Sequence, residues 1–176
     1  MKYLTPERLI RLDDLTNESA FLAATEAWED GLTRYRAHLQ RIEARLPNGL
    51  RRLIETVYLH DAALLEMSRG RRTRFTITLH PESDPLRLVT LEYSLVEEPT
   101  INENALPEPL RSSPVCWLYD ELDVEETQGE TTFCHHILLS NGWEVCLRFR
   151  KVVVHRPYSL IPARSQDAAL TATPSM

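Results

Sequence analysis

Apolar and polar positions follow two periods along this chain, and the period changes near residue 73. Before that point the spacing is helical. Thr5-Pro6-Glu7 opens a short helix with a hydroxyl cap, proline in the first turn and an acid near the positive end of the dipole. A second start lies at Thr16-Asn17. Beyond it Phe21, Thr25, Trp28, Leu32, Tyr35, Leu39, Ile42 and Leu46 recur at alternating steps of four and three, which marks one buried seam on a long helix. Gly31 weakens that helix locally by about 1 kcal/mol relative to alanine. Leu46-Pro47-Asn48-Gly49 breaks it and caps a third helix, with a stripe of Leu50, Leu53, Ile54, Val57, Leu64 and Leu65 that ends at Ser68-Arg69-Gly70. The short connection predicts an antiparallel helical hairpin.

From Thr73 the period is two. Phe75, Ile77 and Leu79 alternate with polar residues, as do Val89, Leu91, Tyr93 and Leu95, so each run predicts a half-buried strand. Residues 97–114, rich in proline and acids, read as an irregular loop. Further strands are expected at 115–121, 131–139 and 143–154, with an acidic turn between the first two. Together these elements predict an α+β domain over residues 1–155: an N-terminal helical hairpin packed on one face of a mainly antiparallel sheet of about five strands. Residues 156–176 carry no period and read as an extended, mobile tail.

Ser140-Asn141-Gly142-Trp143 is a strong hairpin signal. A two-residue type I′ turn there has positive φ at both Asn141 and Gly142. It pairs Leu138 with Val145, His136 with Leu147 and Cys134 with Phe149, and turns that set toward the helices. Phe133, Ile137 and Leu139 fall on the other face, partly exposed, as a candidate contact surface for a protein partner or a second copy of the chain.

Composition narrows the class. With 43% hydrophobic and 26% charged residues the chain is that of a soluble globular protein. No apolar run approaches the roughly 20 residues that span a bilayer, so no membrane association is expected. The start lacks the long apolar core of a signal peptide. Cys116, Cys134 and Cys146 are odd in number and lack a Cys-x-x-Cys spacing, which argues for a reducing cytoplasm rather than a disulfide scaffold or zinc ribbon. The formal charge of −6 conceals two opposed regions: nine arginines against four acids from Arg34 to Arg72, and ten acids against one base from Glu97 to Glu130. Each can steer an oppositely charged partner. Overall acidity, with no basic stripe interleaved with aromatics, argues against nucleic acid.

Candidate chemistry is sparse. On a third helix that ends at Ser68-Arg69-Gly70, the stripe Leu50, Ile54, Val57 lands on Asp61, next to His60. A carboxylate there needs hydrogen bonds, an ion pair or a metal. His135 and His136 point to opposite faces of one strand, and the expected register puts His136 inside, with Asp61 as a possible partner. Cys134 shares a face with His136, but opposite Phe149 it reads as buried and inert. The run Asp120-Glu121-x-Asp123-x-Glu125-Glu126 lacks the glycine and ligand order of a calcium loop and reads as solvated charge. There is no phosphate loop, dinucleotide fingerprint, nucleophile elbow or His-Glu-x-x-His, and no cofactor is expected.

Met1-Lys2-Tyr3, the Leu59-His60-Asp61 step, and the closing run Ile137-Leu138-Leu139-Ser140-Asn141-Gly142-Trp143-Glu144-Val145 resemble an uncharacterised bacterial family without established activity. The resemblance covers about residues 1–155 and implies a role for His60 and Asp61. Small acidic α+β chains of this kind also resemble, at the level of fold, immunity proteins that neutralise bacterial toxins. The expected function is a non-enzymatic cytoplasmic binding protein, immunity-like or regulatory, with His60, Asp61 and His136 as binding residues. The alternative is a small metal-dependent hydrolase built on His60, Asp61 and a strand histidine.

Overall fold

The computed structural model describes residues 1–13, 17–127 and 129–156, so the expected tail lies outside the described residues apart from Arg156. Three helices precede the sheet: α1 (Pro6–Leu12), α2 (Glu18–Ile42) and α3 (Asn48–Thr56). Asn17 caps α2, its side-chain oxygen accepting from the Ser19 and Ala20 amides. Seven strands follow: β1 (Ala63–Arg69), β2 (Arg74–His80), β3 (Val89–Leu95), β4 (Thr100–Glu103), β5 (Trp117–Thr127), β6 (Glu130–Leu139) and β7 (Trp143–His155). All pairings are antiparallel, in the order β1-β2-β3-β7-β6-β5, and β4 pairs with the start of β7. The α+β class holds, with two more strands than expected.

One added strand, β4, forms inside the stretch read as an irregular loop, where it pairs with the start of β7; the other, β1, replaces the end of the expected third helix. Residues 57–65 carry the apolar spacing of a helix, yet α3 stops at Thr56 and the chain turns into β1. The turn Leu59–Ala62 is closed by the Ala62 amide donating to the Leu59 carbonyl at 2.9 Å. Asp61, with φ 64°, takes its left-handed position, a conformation that Asp tolerates better than most residues. β1 then pairs with β2 and meets the approach to β5. The Asp61 and Leu64 amides donate to the Trp117 and Val115 carbonyls, each at 2.8 Å, and the Trp117 amide donates back to Ala62 at 2.9 Å. These bonds bring the two ends of the strand order together and curl the sheet into a closed ring.

The ring's interior holds Ile77, Leu91, Tyr93, Ile137, Leu147 and Phe149 among others, and Ile42, Leu46, Leu50 and Leu53 plug into it from the helices. A second, smaller cluster lies on the opposite face, where Leu118 and Leu138 meet Tyr3, Leu4, Leu9, Trp28 and Leu106. The N-terminal segment is tied there by Glu121. This buried carboxylate accepts from the Lys2 and Tyr3 amides at 2.7 Å and from Leu4 at 2.5 Å. Arg8 crosses α2 at Gly31, where an added β carbon would lie 2.5 Å from the guanidinium. Gly31 is thus a point of close approach as well as a weak spot in the helix.

The β6–β7 hairpin differs from expectation by one residue. Ile137 faces Val145, His136 faces Cys146, His135 faces Leu147 and Phe133 faces Phe149. The loop has three residues rather than two, with a Leu139–Gly142 turn and positive φ at Gly142 but not at Asn141. That combination is the common three-residue hairpin, in which the left-handed glycine forms a bulge. The cause lies outside the hairpin. Ser140 is fully buried, its amide donating to Cys116 O and its hydroxyl accepting from the Cys116 amide and from Ser112. The slip reverses the faces. His135 goes inside, His136 goes outside, and Phe133, Ile137 and Leu139 are buried rather than forming a contact surface.

Two outcomes follow in equilibrium unfolding. Gly142→Val should cost more than about 2 kcal/mol, because φ is +89° and a β carbon would stand 2.0 Å from the Asn104 carbonyl oxygen; Ser140→Ala should cost roughly 1–3 kcal/mol by stranding the Cys116 amide. Asp61→Asn should be nearly neutral, whereas Asp61→Val should lose roughly 1–2 kcal/mol, since a β-branched residue resists the left-handed turn. Equal losses for Asn and Val would show that the carboxylate, not the backbone, is what matters there.

Candidate functional site

A cavity of about 450 Å³ lies between α2, α3 and β5. Its walls are largely apolar, with Trp28, Leu39, Leu53, Val57 and Tyr119 among the lining residues, and Ile54, Tyr58 and Arg36 are exposed at its mouth. Trp28 packs edge-on against Tyr119 at 4.8 Å between ring centroids, and His60 packs against the same tyrosine at 5.0 Å. Trp28 is buried, as the seam on the long helix predicts, against β5 of the sheet and the N-terminal segment.

The polar floor of the cavity is Asp120 and His135. β5 carries Asp120 and Leu122 on the face that β6 continues with Ile137 and His135. The Asp120 carboxylate accepts from Trp117 Nε1 at 3.0 Å and lies 3.0 Å from His135 Nε2. His135 Nδ1 is in turn 2.9 Å from Tyr93 Oη. With the Nε2 proton donated to Asp120, Nδ1 accepts from the tyrosine, so both ring nitrogens of His135 are satisfied. His135 is 1% exposed and the Asp120 side chain 28%, so the carboxylate is the part of the network that reaches the cavity. Burial, and then the nearby Asp120 charge, hold the Tyr93 phenol well above the usual tyrosine range; the same two causes raise Tyr35.

A second group of reactive side chains sits on the opposite face of β6. Cys134 Sγ lies 3.6 Å from Cys146 Sγ and 3.4 Å from His136 Nε2, and Cys146 Sγ lies 3.8 Å from the same nitrogen. Behind the histidine, Glu144 stands 3.6 Å from Nδ1 and also receives the Met1 ammonium. Cys134 is buried, and His136 and Cys146 are half-buried. A hydrogen bond from Cys134 is the main cause that pulls the Cys146 thiol down to about 5, and His136 adds to it. The Cys134 thiol and the His136 imidazole are shifted upward, Cys134 by its hydrogen bond with Cys146 and by burial, His136 chiefly by its contact with Cys146. Of the two thiols, Cys146 is therefore the one that ionises first, with Cys134 and His136 beside it.

The expected site residues divide between these places. His60 lines the cavity. Asp61 is half-exposed in the turn, 2.8 Å from His60 Nδ1, and is not on a helix. His136 is among the thiols and not near Asp61. Among the described residues, Cys134, His136 and Cys146 are the one set of three metal-ligating side chains whose donor atoms converge, so no such set joins His60 and Asp61 to a strand histidine. No spacing in the sequence joins Asp120, His135 and Tyr93, which lie on three different strands, whereas the shared face of Cys134 and His136 is legible in the alternation. The acidic run is not simply solvated: Asp120 meets His135, Glu121 holds the N-terminal segment, and Asp123 lies 3.2 Å from His38.

No family model matches this chain, and no curated protein matches it. No helix of the described residues is long and apolar enough to cross a membrane.

Cys146 should react with iodoacetamide at pH 6 within about twofold of its rate at pH 8, because a thiol titrating near 5 is ionised at both. An ordinary thiol loses roughly 80-fold of its thiolate over that interval. Mass spectrometry of the alkylated peptide reads the difference, and an ordinary decline would mean the thiolate is not stabilised.

Proposed function

We propose that this is a non-enzymatic binding protein of the cytoplasm whose ligand is a small, mainly aromatic or aliphatic molecule carrying a cationic or hydrogen-bond-donating end. The observation that carries this reading is the cavity of about 450 Å³ with apolar walls and the Asp120 carboxylate at its floor. That volume falls in the range of small-molecule sites, which join an apolar lining to a few placed polar groups. Asp120 already accepts from Trp117 and pairs with His135, so it is held in one orientation, and its remaining acceptor capacity faces the cavity. An amine or ammonium group complements it. A carboxylate ligand would meet like charge.

Binding rather than catalysis is supported by His135, whose two ring nitrogens are both engaged, by Asp120 and by Tyr93. No imidazole nitrogen at the cavity floor is left to take a proton from a ligand. A small ligand suits this recess better than a protein partner, since its polar group lies at the bottom of the cavity rather than on a surface. A reducing compartment suits three free cysteines, two of them in near contact.

Titrating the protein with 2-phenylethylamine and 3-phenylpropionate, read by tryptophan fluorescence because Trp28 lines the cavity, tests the proposal. The amine should bind saturably and the acid should not. Asp120→Asn should weaken the amine by about tenfold or more, a loss of about 1.4 kcal/mol. Ile54→Trp, which narrows the mouth, should abolish binding without lowering the melting temperature. Equal binding of both probes, or of neither, would reject this ligand class.

A further inference from the structure

On the face of β6 turned away from the cavity, the geometry points to a binding site for one zinc ion, held by Cys134 Sγ, Cys146 Sγ and His136 Nε2, with the fourth position left to water or another small ligand. The inference is independent of the cavity, because His135 and His136 are adjacent on a strand and project to opposite faces.

The distances among the three donors support it. With Zn–S near about 2.3 Å and Zn–N near about 2.05 Å, tetrahedral angles place two bound sulfurs about 3.8 Å apart and a sulfur and nitrogen about 3.6 Å apart. The sulfurs here are 3.6 Å apart, and the two sulfur–nitrogen distances are 3.4 and 3.8 Å. The three atoms already stand as one face of a tetrahedron, and the ion needs little rearrangement to sit above it. Two thiolates and one imidazole are a soft set of ligands that favours zinc over magnesium or calcium. Two thiolates also neutralise the charge of the ion.

The surroundings are those of a ligating histidine. Nε2 faces the thiols while Nδ1 faces Glu144 at 3.6 Å. A carboxylate behind the imidazole selects the tautomer whose free lone pair is on Nε2 and keeps the ring in place. At 3.6 Å the Glu144 carboxylate acts on Nδ1 by its charge, and that buried nitrogen makes no hydrogen bond among the described residues, so Glu144 is the acceptor placed to take its proton when Nε2 binds the ion. Backbone pairing fixes the rest: His136 is directly opposite Cys146, and Cys134 is opposite Arg148, one diagonal step away. Diagonal cross-strand neighbours are roughly 7–8 Å apart at the backbone. A disulfide prefers a Cα separation of roughly 4.4–6.8 Å. The pair is better spaced to share an ion than to form a bond. The half-buried positions of His136 and Cys146 leave a path for the fourth ligand.

The test uses the full chain, reduced and stripped by a chelator, titrated with Zn(II) against a chromophoric competitor and separately with Co(II). We expect one ion per chain and, with cobalt, the intense charge-transfer absorption of thiolate ligands. Cys134→Ser and Cys146→Ser should each weaken zinc binding by at least about 100-fold, above the 10–100-fold typical of losing an outer partner, and Glu144→Gln should fall within that lower range. Cys116→Ser, outside the cluster, should change nothing. X-ray absorption of the zinc-loaded wild-type protein should show two sulfur neighbours and at least one nitrogen, a reading that holds even if a variant fails to fold. A cobalt spectrum without thiolate bands, a zinc shell of oxygen and nitrogen alone, or wild-type affinity in a folded Cys134→Ser, Cys146→Ser double variant would overturn the site.

Discussion

The closure between β1 and the approach to β5 is the constraint on which the rest depends. Three backbone hydrogen bonds, from Asp61 and Leu64 to Trp117 and Val115 and from Trp117 back to Ala62, turn an open run of strands into a ring. Without it, β1 would present one free edge and β5 another, and the apolar interior would have no reason to curl around itself. The ring in turn sets the inside and outside of every strand. Tyr93, His135 and Asp120 become neighbours across three strands because the sheet is curved, and the helices can plug an interior that a flat sheet would not have. The left-handed turn at Asp61 directs the chain into this closure.

Carboxylates from the acidic stretch hold much of what the hydrophobic core leaves unspecified. A buried carboxylate is costly unless its acceptors are filled. Glu121, the buried one, is satisfied by three backbone amides of the N-terminal segment, and Asp120, partly exposed to the cavity, is held in place by Trp117 and His135. The opposed charge regions are partly each other's partners: Arg45 pairs with Glu126 and Arg69 with Glu98. Arg148 bridges Glu97 and Glu125. Exposed pairs of this kind are worth little each. Their consequence is that less of the charge asymmetry remains for an external partner than the sequence suggests.

β6 places two chemistries back to back. One face contributes His135 to the cavity floor, and the other contributes Cys134 and His136 to the thiol group. Period-two alternation makes this separation automatic, and the strand's backbone, hydrogen-bonded on both sides, keeps the two faces from mixing. A ligand on one face meets side chains that the other face does not share.

Periodicity alone determined the long helix from its cap at Asn17 through the seam to Ile42, five of the seven strands, and the existence of a hairpin at Asn141-Gly142. These are local properties, written in spacing, capping and turn chemistry. Tertiary structure decided the remainder. Residues 62–69 have a composition suited to a helix, and only pairing with β2 and the closure at Cys116 makes them a strand. The hairpin's register was decided by Ser140, whose bonds to Cys116 and Ser112 come from a distant loop. That single residue of slip is why the thiol cluster was hidden: the two-residue turn sets Cys146 opposite Ile137, whereas the three-residue loop sets it opposite His136. His60 belongs to the cavity wall, and Asp120 and His135, at its floor, have no signal of their own in the sequence. Their meeting depends on two strands curving together, and no spacing along one chain segment records the curvature of a sheet.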